Sequence, residues 1–328
     1  MSRIKGAILA AGRGTRLRPL THLVPKPLVP VAGRPLIEYA LDHLRKLGIE
    51  EIGVNAHHLH GVLQEAMQKE SPSVTVVVEE VLQGTGGGIR GIARALDADT
   101  LVVINGDALF DFDLHPLLEQ HRKTRALGTL ALRQVPVDSP FRRVGIDQSG
   151  RLNVISEMSC PGVSRNTLTF GAYTGVQIIE RALIERIPEG ECDILRSAYR
   201  DVLDNAGPIF GHFVPAGSVW FDVGTPDRYL DAHRLVLEQT LSVEHLPTMD
   251  RHGRAIHPGS IVSPTVELIG PCVVMDGAHI ESSAVIGPYA YIGEGAHIGP
   301  GCRISDAVIW PKVSVDRDLS RQVVLPGH

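Results

Sequence analysis

The residues best suited to chemistry lie in one run, from Ile8 to Pro27. Gly12 and Gly14 follow a short apolar segment, and glycine lets a backbone turn sharply and approach a ligand closely. Backbone N–H groups in such a loop attract anions, and Arg16 adds a guanidinium that suits a phosphate. Lys26 stands between two prolines, which stiffen the chain on both sides of it. The run therefore predicts a phosphate cradle with a rigidly held ammonium group.

That combination suits the transfer of a phosphate-linked group, because negative charge builds on the phosphate oxygens during such a reaction. Two commoner phosphate motifs do not fit. A P-loop requires Gly-Lys-Ser/Thr after its glycines, whereas this loop has Gly-Thr-Arg. A dinucleotide fingerprint requires a third glycine where Leu17 stands. A Gly-x-Gly alone is also typical of a plain strand-to-helix turn, so the specificity lies in the whole run with its Pro-Lys-Pro.

The whole run resembles the signature of the sugar-1-phosphate nucleotidylyltransferases, also called nucleoside-diphosphate-sugar pyrophosphorylases. The resemblance covers nearly the whole chain, and within the family the chain is most similar to the mannose-1-phosphate guanylyltransferases. It implies an enzyme that joins an NTP to a sugar 1-phosphate and releases pyrophosphate. The implied substrates are GTP and mannose 1-phosphate, and the implied cofactor is Mg²⁺.

The resemblance implies catalytic roles for Arg16, Lys26, Asp107 and Asp222. Asp107, in Asn-Gly-Asp, and Asp222, in Phe-Asp-Val-Gly-Thr, match the two aspartates that hold the metal in the family. Mg²⁺ suits such a pair, because it binds through few carboxylates together with phosphate oxygens and water. Either aspartate alone is more often a turn or cap residue than a metal ligand, but the amino-terminal signature favours the metal role for both. The implied nucleotide-binding residues are Leu9, Ala10, Gly12, Gly14, Thr15, Arg16, Glu79, Gly84 and Thr85.

The base is indicated by Glu79, which stands where thymidylyl and some uridylyl members carry glutamine. A carboxylate could accept from guanine N1–H and N2–H₂ together, a pair that uracil and thymine do not offer. Glu79 therefore favours GTP, although a solvated strand end is an alternative for this residue and some uridylyl relatives carry glutamate there.

The sugar side departs from the family. Gly145 and Glu157 match residues near the sugar phosphate, but Met158 replaces the lysine that would hold that phosphate. The same departure occurs in the muramate 1-phosphate uridylyl and heptose 1-phosphate guanylyl branches, so another sugar is an alternative. A replacement cation is predicted at Arg142, Arg143 or Arg165, unless these are only surface residues.

Two other functions compete with this one. A catalytically silent regulatory subunit of the same fold is favoured by Met158 and opposed by the intact Arg16, Lys26, Asp107 and Asp222. A bifunctional enzyme whose C-terminal part transfers an acyl group would need a longer repeat than this chain has.

The composition argues against several other classes of protein. The chain has 328 residues, of which 43% are apolar, and a net charge of −5. No stretch is rich in Lys or Arg, so neither nucleic acid nor a membrane surface is expected as a partner. The four cysteines lack paired CxxC spacing, which argues against a disulfide framework or a zinc site and fits a cytoplasmic protein.

The first half of the chain alternates strand and helix patterns, which predicts an α/β fold with a doubly wound, mainly parallel, Rossmann-like sheet. Ligands in such sheets bind beyond the carboxyl ends of the strands. Strands are predicted at 5–10, 51–55, 74–79, 101–105, 128–134, 144–147, 152–156, 170–179 and 219–223. Helices are predicted at 35–47, 59–68, 84–96, 181–186, 194–205 and 227–240.

The last part of the chain repeats every six residues. Large apolar residues recur without a slip at Val262, Leu268, Val274, Ile280, Ile286, Ile292, Ile298, Ile304 and Trp310, and a series of small or modest residues runs beside them from Ser260 to Ser314. Neither a helix nor a simple strand has this period, so it predicts a short left-handed parallel β-helix. Cys272 and Cys302 would face its core, and His279 and His297 would stack one turn apart as a solvated ladder.

The predicted β-helix would make contacts in a homo-oligomer or would serve regulation. The patterns together predict four segments. The segments are a nucleotidylyltransferase domain at 1–240, a linker at 241–258, the β-helix at 259–315 and a tail at 316–328.

Overall fold

A computed structural model of the chain describes residues 3–70, 74–136, 141 and 143–327. The strands are β1 (Ile4–Leu9), β2 (Pro30–Val31), β3 (Arg34–Pro35), β4 (Ile52–Ala56), β5 (Val74–Val78), β6 (Thr100–Asn105), β7 (Ala108–Phe110), β8 (Gly128–Arg133), β9 (Arg143–Ile146), β10 (Leu152–Ile155), β11 (Met158–Ser159), β12 (Thr169–Glu180), β13 (Ile209–Phe213), β14 (Trp220–Asp222), β15 (Arg254–Ile256), β16 (Ile261–Val262), β17 (Glu267–Leu268), β18 (Cys272–Val274), β19 (His279–Ile280), β20 (Val285–Ile286), β21 (Ala290–Ile292), β22 (His297–Ile298), β23 (Arg303–Ile309), β24 (Ser314–Val315) and β25 (Leu319–Val324). The helices are α1 (Leu20–Leu23), α2 (Leu36–Lys46), α3 (His60–Met67), α4 (Gly84–Leu96), α5 (His115–Thr124), α6 (Arg181–Ile184), α7 (Ala198–Asp204) and α8 (Pro226–Leu237).

The chain forms two compact units, and each is assembled from separate stretches of sequence. The first unit comprises Met1–Gly14, Val24–Leu28 and Leu36–Trp220, and the second comprises Thr15–Leu23, Val29–Pro35 and Phe221–His328. Helix α8 therefore belongs to the second unit, together with two short segments from the beginning of the chain. No helix in the described parts of the chain is long and apolar enough to cross a membrane.

The first unit is built on a mixed sheet with a parallel centre. Strand β1 pairs in parallel with β4 and β6, and β4 pairs in parallel with β5. Strand β12 then pairs antiparallel with β6 and β8, and the sheet continues through β9 and β10 to β11. Apolar clusters cover both faces of this sheet, as parallel strands require. The predicted α/β class is confirmed.

Helix α5 and the strands β7, β11 and β13 of the first unit were not predicted from the sequence. Helix α5 buries only Leu117, Leu118 and His121, so its apolar pattern is weak. Strand β13 has Gly211 and His212 side by side among its apolar residues, and it pairs in parallel with β8. The helix predicted at 194–205 begins only at Ala198, because the carboxylate of Asp193 accepts from two following N–H groups and holds a turn there.

The second unit contains a coil of short parallel strands. Cys272 pairs with Ala290 and His279 pairs with His297, each eighteen residues further along the chain. Cys272 and Cys302 are buried in the core, as predicted. The rings of His279 and His297 lie 5.2 Å apart between centroids. This arrangement is the one that hexapeptide repeats produce and is consistent with the predicted left-handed β-helix.

The six-residue register breaks near its end, which corrects one prediction. Ile309, and not Trp310, pairs with Ile292. Strand β23 pairs first with β20, through Ile304, and then with β21, from Ala307 onward. Two residues separate these pairings, where three separate Ile286 from Ala290, so one residue is lost from the period. Coil pairing also continues beyond the predicted range 259–315, because β15 pairs with β18 and β25 pairs with β23.

Candidate functional site

The strands β1, β4, β5 and β6 of the first unit carry a cavity of about 330 Å³ where they end. The carboxyl edge of a parallel sheet is where such folds bind ligands. Six predicted nucleotide or catalytic residues line this cavity together with five that were not predicted. The lining residues are Leu9, Ala11, Gly12, Asn55, Glu79, Leu82, Gly84, Thr85, Asn105, Asp107 and Glu191.

The loop after β1 leaves room for a ligand at one glycine and needs the other for its backbone. A Cβ added to Gly12 would meet no protein atom within 4 Å, whereas Gly14 has a φ of 61°, which favours glycine. The N–H of Ala10 already donates to the side-chain oxygen of Asn55 at 2.7 Å. A ligand can therefore approach the Gly12 backbone closely, whereas the Ala10 N–H already has a partner.

Glu79 follows β5 and is buried, with only 7% of its surface exposed. Its Oε1 accepts from the Asn55 amide at 2.7 Å, and its Oε2 accepts from the Gln83 backbone N–H at 2.9 Å. A solvated strand end is therefore wrong for this residue. Because an ionised carboxylate can accept about four hydrogen bonds, Glu79 keeps acceptor capacity on the cavity side.

The glycines at the start of α4 allow another segment of the first unit to lie against it. A Cβ on Gly84, whose φ is 66°, would come within 2.5 Å of the Cys192 carbonyl oxygen. The N–H of Gly86 donates to that oxygen at 2.9 Å, and the Thr85 hydroxyl accepts from the Ile194 N–H at 3.0 Å. Gly84 and Thr85 thus shape the cavity, and the N-terminal end of α4 favours negative charge beside it.

Lys26 is fixed at the Asp107 end of the cavity. Its Nζ donates to Asp107 Oδ2 at 2.6 Å, and only 11% of the lysine side chain is exposed. The Leu28 N–H donates to the Pro25 carbonyl at 2.8 Å, which closes a tight turn around the lysine. An ammonium and a carboxylate therefore meet beside the cavity, where a phosphate group would need both positive charge and a metal ligand.

The other predicted phosphate and metal residues lie in the second unit. Thr15 and Arg16 are exposed in a short turn at Thr15–Leu17. Arg16 and Asp222 approach the same glycine, since a Cβ on Gly224 would lie 3.6 Å from the Arg16 guanidinium and 3.1 Å from the Asp222 carboxylate. An Arg16–Asp222 neighbourhood therefore exists, and a metal ion shared by Asp107 and Asp222 stays a prediction.

The described parts of the chain contain no cluster of three or more His, Cys, Asp or Glu side chains able to hold a metal ion. Mg²⁺ typically binds through one or two carboxylates together with substrate phosphates and water, so its binding does not require such a cluster. Oxygen donors such as Asp107 and Asp222 are the type that this hard cation prefers.

The predicted sugar residues do not line the cavity. Gly145 is buried in β9, where a Cβ would come within 2.7 Å of the Phe170 ring, so packing accounts for this glycine. Glu157 is exposed in a turn, and Met158 is packed in the core.

The predicted replacement cations are occupied elsewhere or not described. The Arg143 guanidinium lies 4.7 Å from the centre of the Phe170 ring. Arg165 donates to the carbonyls of Ser156 and Glu157. Arg142 lies outside the described residues.

Sequence reasoning missed five lining residues, of which Asn55 is the most informative. Asn55 links Glu79 to the Ala10 backbone, and Gly88 leaves the space that its amide occupies. Asn55 and Asn105 each stand at or next to the end of a buried parallel strand, a position that predicts a site residue.

A family model that describes nucleotidyl transferases matches residues 5–239. The chain belongs to the nucleotidyl transferase family. A second model, for six repeats of the bacterial transferase hexapeptide, matches residues 271–309 of this nucleotidyl transferase.

Two similar curated proteins are named for reactions of sugar 1-phosphates. The mannose-1-phosphate guanylyltransferase of Mycobacterium tuberculosis is 34% identical over 284 residues, which cover 84% of this chain and 76% of that protein. The UTP–glucose-1-phosphate uridylyltransferase of Synechocystis is 30% identical over 312 residues, which cover 87% and 79%. The resemblance to sugar-1-phosphate nucleotidylyltransferases is thus confirmed, while the two names differ in both base and sugar.

A crystal structure of HddC from Yersinia pseudotuberculosis, complexed with GMP-PN, matches with a TM-score of 0.57. The match covers 71% of this chain and 99% of that chain at 22% identity, which supports the fold alone.

Proposed function

We propose that this nucleotidyl transferase joins GTP to mannose 1-phosphate and releases pyrophosphate. The observation that carries the proposal is the Lys26 ammonium, which donates at 2.6 Å to Asp107 beside the cavity at the strand ends. A fixed cation next to a carboxylate and a glycine loop is what a triphosphate and a second phosphate require when they react.

In this reaction an oxygen of the sugar phosphate forms a bond to the α-phosphorus, and the bond from that phosphorus to pyrophosphate breaks. The loop at Gly12 would bind the triphosphate through its backbone, and Thr15 and Arg16 would hold the outer phosphates. Lys26 would neutralise charge on the reacting phosphate oxygens. Mg²⁺, held by Asp107 and Asp222, would supply further positive charge to the phosphates. The protein's own work is therefore to position two anions and balance their charge.

The choice of GTP is supported by Glu79. Its carboxylate lines the cavity and is held in place by Asn55 and Gln83, so it presents fixed acceptors for the two N–H donors of guanine. The guanylyltransferase from M. tuberculosis, at 34% identity, points the same way.

The choice of mannose is supported by the same relative, whereas Met158 favours a second candidate substrate. Met158 stands at the position where the family carries a sugar-phosphate lysine, and its side chain is packed in the core. Another sugar 1-phosphate, of the heptose or muramate type, is therefore the alternative substrate. The hexapeptide coil would serve a homo-oligomer or regulation.

The test is pyrophosphate release by the purified chain, with Mg²⁺, across a grid of five NTPs and several sugar 1-phosphates. Each NTP without sugar phosphate is the control for simple hydrolysis. We expect release only when both substrates are present, with the highest kcat/KM for GTP and mannose 1-phosphate. A higher kcat/KM for UTP and glucose 1-phosphate would refute this substrate pair, and no release across the grid would favour the catalytically silent subunit.

A further inference from the structure

The hairpin that follows Lys26 in the chain is held by the C-terminal part of the second unit. This hairpin, Val29–Pro35, consists of β2 and β3 joined at Ala32 and Gly33, both of which have positive φ. Val29, Val31 and Ala32 are buried. The two strands of the hairpin pair with each other, and the Pro30 carbonyl and the Ala32 N–H have hydrogen-bond partners far away in the sequence.

Helix α8 supplies two of these partners. The Tyr229 hydroxyl donates to the Pro30 carbonyl at 2.6 Å, and the Ala32 N–H donates to His233 Nε2 at 3.0 Å. Because Nε2 accepts, the His233 proton is assigned to Nδ1, which donates to the Tyr229 carbonyl at 3.0 Å. Tyr229 and His233 are almost fully buried, so these bonds are shielded from water.

The coil completes the chain of hydrogen bonds. The Trp310 indole N–H, from the residue after β23, donates to the Tyr229 hydroxyl at 3.0 Å. The Tyr229 hydroxyl therefore accepts one hydrogen bond, from the Trp310 indole N–H, and donates one, to the Pro30 carbonyl. The Trp310 indole N–H therefore faces helix α8. The order of contacts is Trp310 of the coil, Tyr229 of α8 and Pro30 of the hairpin.

The sequence then connects the hairpin to the chemistry. The second unit includes the segments on either side of Lys26, Thr15–Leu23 and Val29–Pro35. The intervening stretch, Val24–Leu28, is five residues long and contains two prolines, so it has little slack. Only Pro27 and Leu28 separate Lys26 from the first residue of the hairpin.

We propose that Tyr229 and Trp310 are positioning residues, through which the hexapeptide coil holds the Lys26 segment in its reactive arrangement. This inference rests on the proposed function. By this inference the coil contributes to nucleotidyl transfer, and Tyr229 and Trp310 are the side chains through which it does so. Misplacement of a reacting group by about 1 Å can lower a rate by about a hundredfold, so a loss of kcat at nearly constant KM is the signature.

The experiment compares the full chain with Tyr229→Phe, Trp310→Phe and a matched control, Asp306→Asn. Asp306 also joins α8 to the coil, through a bidentate ion pair with Arg234 at 2.7 and 2.9 Å, but it makes no contact with the hairpin through that pair. Two readouts are taken: pyrophosphate-release kinetics with the best substrate pair, and amide hydrogen exchange of peptides that cover 24–35.

We expect Tyr229→Phe to lower kcat about tenfold or more, to change KM for the NTP less than threefold, and to speed exchange in the hairpin. Trp310→Phe should produce a smaller change in the same direction, because the Tyr229 hydroxyl still donates to Pro30. The Trp310→Phe variant also tests the proposal if Tyr229→Phe does not fold. Asp306→Asn should keep kcat and hairpin exchange within twofold of the wild-type values.

Unchanged hairpin exchange in both aromatic variants would overturn the proposal, as would faster exchange with an unchanged kcat. Equal losses in Asp306→Asn would also overturn it, because they would reflect general stability. A wild-type chain without activity on any substrate pair would instead refute the proposed function, and the exchange comparison would still decide whether the coil holds the hairpin.

Discussion

His233 should make the second unit sensitive to acid. The side chain is 2% exposed, and burial lowers its pKa from 6.5 to about 4, an effect only partly offset by its hydrogen bond to the Tyr229 carbonyl. In the folded chain the neutral ring accepts from the Ala32 N–H, and a protonated ring could not. The perturbation is His233→Asn, which removes the titrating ring.

The magnitude follows from the two pKa values. Between about pH 6.5 and pH 4 the unfolded chain binds more protons than the folded one, so stability falls as the pH falls through this window. Above pH 6.5 the contribution of the neutral ring is fully present. Between pH 7.5 and pH 4.5 the loss amounts to about 2 to 3 kcal/mol, at about 1.4 kcal/mol per unit of pKa difference.

The assay is urea unfolding at pH 7.5 and pH 4.5, followed by the fluorescence of Trp310 in a Trp220→Phe background. All other titrating groups are common to wild type and variant, so their contributions cancel in the difference. We expect His233→Asn to be less stable than wild type at pH 7.5 and this gap to narrow by about 2 to 3 kcal/mol at pH 4.5. The same gap at both pH values would refute the reasoning.

Two further predictions concern glycines and thiols. Gly88→Ala should destabilise the first unit by about 1–3 kcal/mol, because its Cβ would lie 2.3 Å from the Asn55 amide, whereas Gly91→Ala in the same helix, with its nearest contact at 3.5 Å, should stabilise it by about 0.5–1 kcal/mol. Urea unfolding of the two variants checks this, and equal effects would contradict it. Burial raises the pKa of the Cys272 thiol to about 11, so at pH 8 an alkylating reagent should label the half-buried Cys192 first and Cys272 only after unfolding, as judged by peptide mass spectrometry.

The fold could be predicted where the pattern is local and repeated. Buried parallel strands read as short apolar runs, which is why β1, β4 and β6 were found to within one or two residues. The hexads were found because each position recurs many times. Helix α5 and strand β13 were missed because each has a weak apolar pattern.

The site could be predicted only in part, because its partners are distant in sequence. Lys26 and Asp107 were both identified, yet their contact joins residues 81 positions apart. Asn55 was missed because its role in the site depends on its hydrogen bond to Glu79 and on the space beside Gly88. The same reason applies to the anchoring of Pro30 by Tyr229, across 199 positions, which no local pattern encodes.

The central claim is that nucleotidyl transfer takes place where Lys26 meets Asp107. The most direct test is the kcat of pyrophosphate release by Lys26→Met, with both substrates saturating and with Lys123→Met, on the exposed face of α5, as the matched control. We expect Lys26→Met to lower kcat at least about a hundredfold, since a lost charge contact to the reacting phosphate costs about 3 kcal/mol, while its unfolding midpoint and the control's kcat stay near the wild-type values. A kcat for Lys26→Met within threefold of wild type would contradict the claim.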